Sequence, residues 1–319
     1  MDARYEPSPR LPRVVAFGGG HGLAATLKAL KRLTDDLTAI VTVADDGGSS
    51  GRLRREFGCL PPGDLRMALA ALCGDDSEGR LWADVLQRRF VGEGPLAGHA
   101  VGNLLITGLW QSDSDPVVGL DHVASLVHAK GRVLPMSSVP LAIEAEVIGL
   151  DRRRPDDVVV IRGQADIAAT PGQVISIALD PADPPVGEEA LAAIAAADYL
   201  ILGPGSWFTS VLPHLLVPAL AEAIVTSPAR RILIMNLLAS KETSGFTPSQ
   251  HIEVLAEHEP RLRLDTVIAD PRFAADPHLA RYVASLGGSV FVAPVGARDG
   301  SPRHDPNLLA AALAAVLNL

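Results

Sequence analysis

The stretch Val14-Val15-Ala16-Phe17-Gly18-Gly19-Gly20-His21-Gly22-Leu23 decides the fold, because it joins an apolar, β-branched strand to a glycine-rich turn. The same pattern recurs further along the chain, where Ile40-Val41-Thr42-Val43 runs into Ala44-Asp45-Asp46-Gly47-Gly48-Ser49-Ser50-Gly51-Arg52. Glycine permits positive φ and lets a ligand approach main-chain N–H groups. Two consecutive strands that end in such loops predict a deep polar pocket for a phosphorylated, hydroxyl-rich ligand.

Composition narrows the class of protein. A formal charge of −9 leaves no basic excess to neutralise phosphates, which argues against a general nucleic-acid binder. Two cysteines, Cys59 and Cys73, have no metal-site spacing and fit a reducing cytoplasm. No apolar run reaches the roughly 20 residues of a membrane span. Residues 1–13 lack the apolar run of a signal peptide, and residues 1–12 are predicted to form a mobile tail.

Beyond the first two strands, strand and helix patterns alternate, which predicts an α/β fold with a mostly parallel sheet and helices on both faces. The first helix is predicted over about residues 23–33. Short β-branched runs between about 133 and 180 predict an antiparallel hairpin insertion that adds to the main sheet. Residues 13–319 are therefore expected to form a single Rossmann-like domain.

The first loop fits a dinucleotide-binding turn. Gly20-His21-Gly22-Leu23-Ala24-Ala25 has the spacing Gly-x-Gly-x-x-Ala, and an acidic residue, Asp45 or Asp46, follows at the end of the next strand, where the fingerprint expects a ribose contact. The second loop adds serine hydroxyls and arginines, a combination that binds a diphosphate or a sugar. Its two carboxylates could instead hold a divalent cation that bridges to phosphates. Glycine turns also occur purely for packing or capping.

Three further segments supply candidate residues. Asp64 follows Pro-Pro-Gly and is expected to cap a helix, with Arg66 in the first turn facing an anion. His99 and Asn103 could share a helix face, and the simplest expectation for His99 is a bond to local backbone. No metal-ligand cluster and no clear nucleophile is evident.

A third glycine loop, Gly203-Pro204-Gly205-Ser206, follows the strand at residues 199–202, and Asn236 ends the next strand. In open α/β sheets ligands bind at this edge. The candidate ligand-binding residues from the sequence are therefore Gly18, Gly19, Gly20, His21, Gly22, Leu23, Asp45, Asp46, Gly47, Ser49, Ser50, Arg52, Asp64, Arg66, Asn103, Gly203, Pro204, Gly205, Ser206 and Asn236.

These motifs resemble the gluconeogenesis factor family, which shares a fold with the 2-phospho-L-lactate transferases of coenzyme F420 synthesis. The resemblance covers nearly the whole chain and is carried by GGGHG (18–22), VTVADDGGSSGRLR (41–54), LPPGDLR (60–66), GHAVGN (98–103), LGPGSWFTS (202–210) and KETSGFTP (241–248). It implies a Rossmann-like protein that binds a UDP-sugar, UDP-N-acetylglucosamine in particular. It also implies a regulatory role in cell shape and peptidoglycan synthesis on gluconeogenic carbon, with envelope-synthesis proteins as partners, and it places Arg303 near the ligand.

Some positions depart from the commoner family pattern. His21 stands where threonine is usual, Met67 where asparagine is usual and Ala100 where serine is usual, and Trp207-Phe208 replaces a Leu-Tyr pair. These departures weigh against carrying over transferase activity. Two other classes are nevertheless kept as alternatives: a phospholactyl-type transferase in which Asp45 and Asp46 hold Mg²⁺, and a nicotinamide-dependent oxidoreductase. The sequence does not decide whether the chain forms an oligomer.

Overall fold

The main sheet consists of seven parallel strands. The structure, a computed structural model, describes residues 10–112, 115–238, 243, 245–273 and 275–319. The strands of the main sheet are β1 (Val14–Gly18), β2 (Leu37–Val41), β3 (Arg132–Pro135), β7 (Tyr199–Leu202), β8 (Arg230–Ile234), β9 (Thr266–Ala269) and β10 (Ser289–Val292). All five residues of β1 are buried, as a central strand covered on both faces requires. The predicted α/β fold with a mostly parallel sheet is confirmed.

The strand order is β10-β9-β8-β7-β1-β2-β3. The chain moves outward from β1 to β3 and then resumes on the other side of β1 with β7, so the direction of winding changes between β1 and β7. Phe17 pairs with Ile40 of β2 and with Leu202 of β7. The carboxyl ends of β1, β2 and β7 therefore lie side by side at the switch point, the position at which open α/β sheets bind ligands.

The helices follow the strands and cover the sheet. They are α1 (Gly20–Leu30), α2 (Gly48–Phe57), α3 (Pro62–Leu72), α4 (Ser77–Gln87), α5 (Val101–Ser112), α6 (Pro116–Leu126), α7 (Gln164–Ala169), α8 (Glu188–Ala196), α9 (Pro213–Leu216), α10 (Pro218–Thr226), α11 (Pro248–His258), α12 (Leu279–Ser285) and α13 (Pro306–Leu317). A π-helical turn spans Trp207–Val211. Across the described ranges, no helix combines the length and the apolar character that a membrane crossing needs.

The insertion forms a sheet of its own. Strands β4 (Ala142–Ile148), β5 (Val159–Arg162) and β6 (Gln173–Asp180) pair antiparallel in the order β5-β4-β6. The expected addition of this hairpin to the main sheet is wrong, because these strands pair only with one another. Residues 132–135, at the start of the predicted insertion, belong instead to the parallel sheet as β3.

Two local predictions also need correction. The first helix begins at Gly20 rather than near residue 23, and the predicted Asp-Gly-Ser loop becomes helical from Gly48 onward. At the amino terminus, the guanidinium of Arg10 contacts the carboxylate of Asp198 at 2.9 Å, so residue 10 already contacts the domain. Residues 1–9 of the predicted tail lie outside the described residues.

Candidate functional site

The first and third glycine loops are in direct contact at the carboxyl edge of the sheet. A methyl group added at Gly22 would lie well inside 3.0 Å of the Pro204 carbonyl oxygen, so this glycine is required by the approach of two backbones. The Thr26 hydroxyl donates to the Gly203 carbonyl at 3.3 Å. Asn236 holds the third loop from the next strand, since its amide accepts from Gly205 N at 2.9 Å and donates to the Gly205 carbonyl at 2.7 Å.

The amino terminus of α1 faces a carboxylate of this chain. Gly19, the residue before α1, supplies no side-chain cap, and the carboxylate of Asp64 accepts a hydrogen bond from the Gly20 backbone. A methyl group at Gly19 would collide with the same carboxylate. The prediction that Asp64 caps α3 is wrong. Asp64 lies inside the first turn of that helix, which begins after Pro61 and has no side-chain cap.

A polar cavity of about 200 Å³ opens beside these loops. Its walls come from the second loop, the first turns of α2, α3 and α5, and the segment that precedes α5. They comprise Asp45, Gly47, Gly48, Ser49, Ser50, Gly63, Asp64, Arg66, Met67, Arg89 and Asn103. The second loop and the Pro-Gly-Asp segment, far apart in sequence, therefore form one site.

Two helix amino termini and two arginines give this cavity a positive character. Neither Gly47 before α2 nor Pro61 before α3 caps its helix with a side chain, so the first-turn backbone N–H groups of α2, and those that follow Pro62 in α3, carry no cap and can face a ligand. Arg66 and Arg89 add guanidinium groups. Burial, and then the charge of Arg89, lower the pKa of Arg66 to about 10, which leaves it a cation near neutral pH. Such a site suits an anion.

Two carboxylates share the cavity with these cations. Asp45 accepts the Gly47 backbone N–H at 2.9 Å, and one oxygen of the buried Asp64, Oδ2, has no hydrogen-bond partner. Burial, and then the negative charge of Asp45, raise the pKa of Asp64 to about 7. Asp64 therefore exists as a mixture of neutral and charged forms at neutral pH.

A row of side-chain hydrogen bonds lies along one wall. The Arg66 guanidinium donates to the Asn103 oxygen at 2.8 Å, the Asn103 amide donates to Ser49 Oγ at 3.0 Å, and Ser49 Oγ lies 2.9 Å from His99 Nδ1. Arg66 also donates to the Gln87 side chain. The expectation that His99 bonds only local backbone is wrong, since its ring contacts a residue 50 positions away in the chain.

Several candidate residues point elsewhere. The Asp46 carboxylate accepts the Ala165 backbone N–H at 3.2 Å, at the first turn of α7, so of the two adjacent aspartates only Asp45 lines the cavity. Arg52 donates to the Ala97 carbonyl at 2.8 Å and holds the loop before α5. Arg303 contacts Asp299 of its own turn at 3.3 Å and is exposed.

Sequence reasoning missed Gly48, Gly63, Met67 and Arg89 as cavity residues. The first three flank or sit within quoted motifs and could have been found there, whereas Arg89 carries no local motif. A second, larger cavity of about 380 Å³ lies between α6, β3 and α8, and it contains none of the candidate residues. Among the residues that the structure describes, no group of three or more acidic, histidine or cysteine side chains could hold a metal ion.

This arrangement defines a Rossmann-type α/β protein with a polar cavity, lined by two arginines, at the carboxyl edge of its parallel sheet. A model of the family described as 2-phospho-L-lactate transferase CofD matches residues 14–294. The gluconeogenesis factor of Bacillus subtilis (strain 168) is 35% identical over 272 residues, which cover 85% of this chain and 82% of that protein. A relative from Mycobacterium tuberculosis (strain H37Rv), provisionally given the same name, is 53% identical over 305 residues, or 94% of this chain and 89% of the relative.

The solved structures agree. A crystal structure of a UPF0052 family member from Bacillus halodurans superposes with a TM-score of 0.83 at 33% identity and covers 95% of this chain and 99% of that one. The chain therefore belongs to the CofD family and, within it, to the gluconeogenesis factors.

Proposed function

We propose that this protein binds a UDP-sugar, with UDP-N-acetylglucosamine as the leading candidate, and acts as a regulator rather than as a catalyst. The observation that carries this proposal is the convergence of two uncapped helix amino termini with Arg66 and Arg89 on one cavity. Backbone N–H groups at helix amino termini and guanidinium groups are the donors that diphosphates prefer in proteins.

The size of the cavity suggests how such a ligand would be divided. About 200 Å³ is below the roughly 300–1,000 Å³ of pockets that enclose a whole small molecule. We therefore assign the diphosphate and the sugar or ribose hydroxyl next to it to the cavity, and the rest of the nucleoside and sugar to the adjoining rim formed by the loops at 18–22 and 203–206. The resemblance of the sequence to the gluconeogenesis factors extends the proposal to control of cell shape and peptidoglycan synthesis from the cytoplasm, through binding to envelope-synthesis proteins.

Calorimetry with UDP-N-acetylglucosamine, UDP, GDP and NAD, each with and without Mg²⁺, tests the ligand. The UDP-sugar is expected to bind most tightly. Arg66→Lys keeps the positive charge but removes the planar group that binds two oxygens, and it is expected to weaken binding about tenfold or more. Preference for NAD or GDP over the UDP-sugar would contradict the proposal.

Arg303→Ala tests the contribution of the carboxyl-terminal turn, with Arg298→Ala, on the same turn, as the matched control. A role at the ligand predicts weaker UDP-sugar binding for the first variant only. Equal affinities for both variants and the unmodified protein would remove Arg303 from the site, in keeping with its contact to Asp299.

A second candidate, a phospholactyl-type transferase, is favoured by the CofD family match and by the unpartnered Asp64 oxygen. Mg²⁺ is held in proteins by one or two carboxylates together with substrate phosphates. Asp45 and Asp64 fit that requirement because both line the cavity, whereas Asp46 is turned toward α7. A bound Mg²⁺ would neutralise phosphate charge there. Tight binding of a deazaflavin, or GDP binding that depends on Mg²⁺ and is lost in Asp45→Asn, would support the transferase over the regulator.

A further inference from the structure

The hydrogen-bonded row Arg66–Asn103–Ser49–His99 can set the direction in which the Ser49 hydroxyl points. All four side chains are buried, with Arg66 3% and Asn103 1% exposed. Arg66, Asn103 and Ser49 line the cavity, and His99 lies behind Ser49. Arg66 at one end can only donate hydrogen bonds, whereas His99 at the other end can donate or accept. The row therefore determines whether Ser49 presents its hydrogen or a lone pair to a ligand.

The direction of the first two bonds follows from chemistry. A guanidinium has no acceptor, so the amide oxygen of Asn103 must face Arg66. The Asn103 NH₂ group is then left to donate to Ser49 Oγ. Arg66 therefore makes Ser49 an acceptor toward Asn103, and the Ser49 hydrogen must point elsewhere.

Two destinations remain for that hydrogen, His99 Nδ1 or the cavity. Ser49 lies in the first turn of α2, where the N–H groups of two helices and the guanidinium groups of Arg66 and Arg89 produce a positive field. A hydroxyl in such a field turns its oxygen toward the positive groups and its hydrogen away from them. The two carboxylates of the cavity accept hydrogen bonds from other groups: Asp45 from the Gly47 backbone and Asp64 from the Gly20 backbone.

We propose that His99 accepts the Ser49 hydrogen, so that Ser49 presents an oxygen lone pair to the cavity and selects a hydroxyl or N–H group of the ligand rather than a phosphate oxygen. This assignment differs from the simple expectation that serines of a glycine-rich loop donate to phosphate. It predicts the Nε2–H tautomer for His99, and it predicts that Ser49 accepts a hydrogen bond from a sugar or ribose hydroxyl of the ligand. The ligand part of the inference rests on the proposed function, whereas the tautomer does not.

Nitrogen NMR of the full-length protein with ¹⁵N-labelled histidine tests the direction without any ligand. The His99 signals are identified by their loss in His99→Gln. An unprotonated Nδ1 with a protonated Nε2 supports the proposal, and a protonated Nδ1 overturns it whatever the protein binds. If the protein does not bind a UDP-sugar, the proposed function is wrong, and the NMR measurement alone then tests the direction of the Ser49–His99 bond.

Binding measurements test the selectivity with UDP-N-acetylglucosamine and inorganic pyrophosphate, which carries no sugar hydroxyl. Ser49→Ala is expected to weaken UDP-N-acetylglucosamine binding about three- to tenfold and to change pyrophosphate binding less than twofold. Ser49→Thr keeps the hydroxyl and is expected to restore the sugar nucleotide's affinity. An equal loss for both ligands would show that Ser49 donates to phosphate and would overturn the inference.

Discussion

Replacing Asp64 with asparagine is expected to stabilise the ligand-free protein at pH 8 and to leave its stability at pH 3 nearly unchanged. Asparagine keeps the shape of the side chain and an oxygen that can accept the Gly20 hydrogen bond, but it carries no charge. Burial, and then the charge of Asp45, raise the pKa of Asp64 from 3.8 to about 7 in the folded protein. The variant therefore removes the cost of holding a charged carboxylate in this position.

The sign follows from proton binding. The folded protein retains the Asp64 proton up to about pH 7, whereas the unfolded chain releases it near its ordinary pKa of 3.8. Stability contributed by this group is thus present below pH 3.8 and is lost as the pH rises to about 7. The gap between the two pKa values, at about 1.4 kcal/mol for each pKa unit, sets the full loss at about 4 kcal/mol.

Urea denaturation followed by tryptophan fluorescence, in EDTA and at intervals from pH 3 to pH 8, measures this loss. The difference in unfolding free energy between Asp64→Asn and the unmodified protein should grow between about pH 4 and pH 7 and then level off. Asp45→Asn is the companion variant, because removing its charge lowers the pKa of Asp64 and should reduce the loss. A difference that stays constant from pH 4 to pH 8 would refute the reasoning.

Three other changes test packing, a buried histidine and a helix cap by the same denaturation measurement. Gly22→Ala places a methyl group against the Pro204 carbonyl and should cost about 1–3 kcal/mol, and an unchanged midpoint would contradict the close approach. Burial lowers the pKa of His214 from 6.5 to about 4. The neutral ring therefore stabilises the folded protein above pH 6.5, and this contribution, up to about 3 kcal/mol, is lost as the pH falls toward 4. His214→Gln should therefore show a shallower loss in acid, and an equally steep one would contradict this assignment. Thr247→Ala removes a capping box shared with Gln250 and should cost about 1 kcal/mol, while Thr247→Ser should cost less.

The sequence predicted the parallel sheet because short apolar runs recur between helical patterns and several, such as Val14–Gly18 and Tyr199–Leu202, lead into glycine-rich loops. Those features are local. It did not predict that α2 starts at Gly48, because Gly-Ser-Ser-Gly favours turns. Contacts from distant segments stabilise this helix: Arg52 bonds the Ala97 carbonyl and Arg54 bonds the Leu141 carbonyl. Such contacts override local preference and are invisible to periodicity.

The candidate site was predictable to a similar extent. Asp45, Ser49 and Asp64 belong to motifs whose strand or helix context marks a carboxyl edge, and all three line the cavity. Which of Asp45 and Asp46 faces the cavity was not predictable from the sequence. The Asp46 carboxylate is held by the first turn of α7, 119 positions further along the chain. The same holds for His99, whose partner is set by the packing of α5 against α2.

The balance of charge in the cavity leads to a last prediction about ligand binding. Two helix amino termini count for about half a positive charge each, and with Arg66 and Arg89 they total about +3. Asp45 and a partly charged Asp64 reduce this total, so a diphosphate leaves the unpartnered Asp64 oxygen beside excess negative charge. Binding without a divalent ion should therefore raise the pKa of Asp64 and take up a fraction of a proton near pH 7.5. Binding with Mg²⁺ should instead lower that pKa and release a fraction of a proton. Calorimetry in two buffers of different ionisation enthalpy measures that proton, and Asp64→Asn should abolish it. Proton exchange that persists unchanged in the variant would place the titrating group outside this cavity.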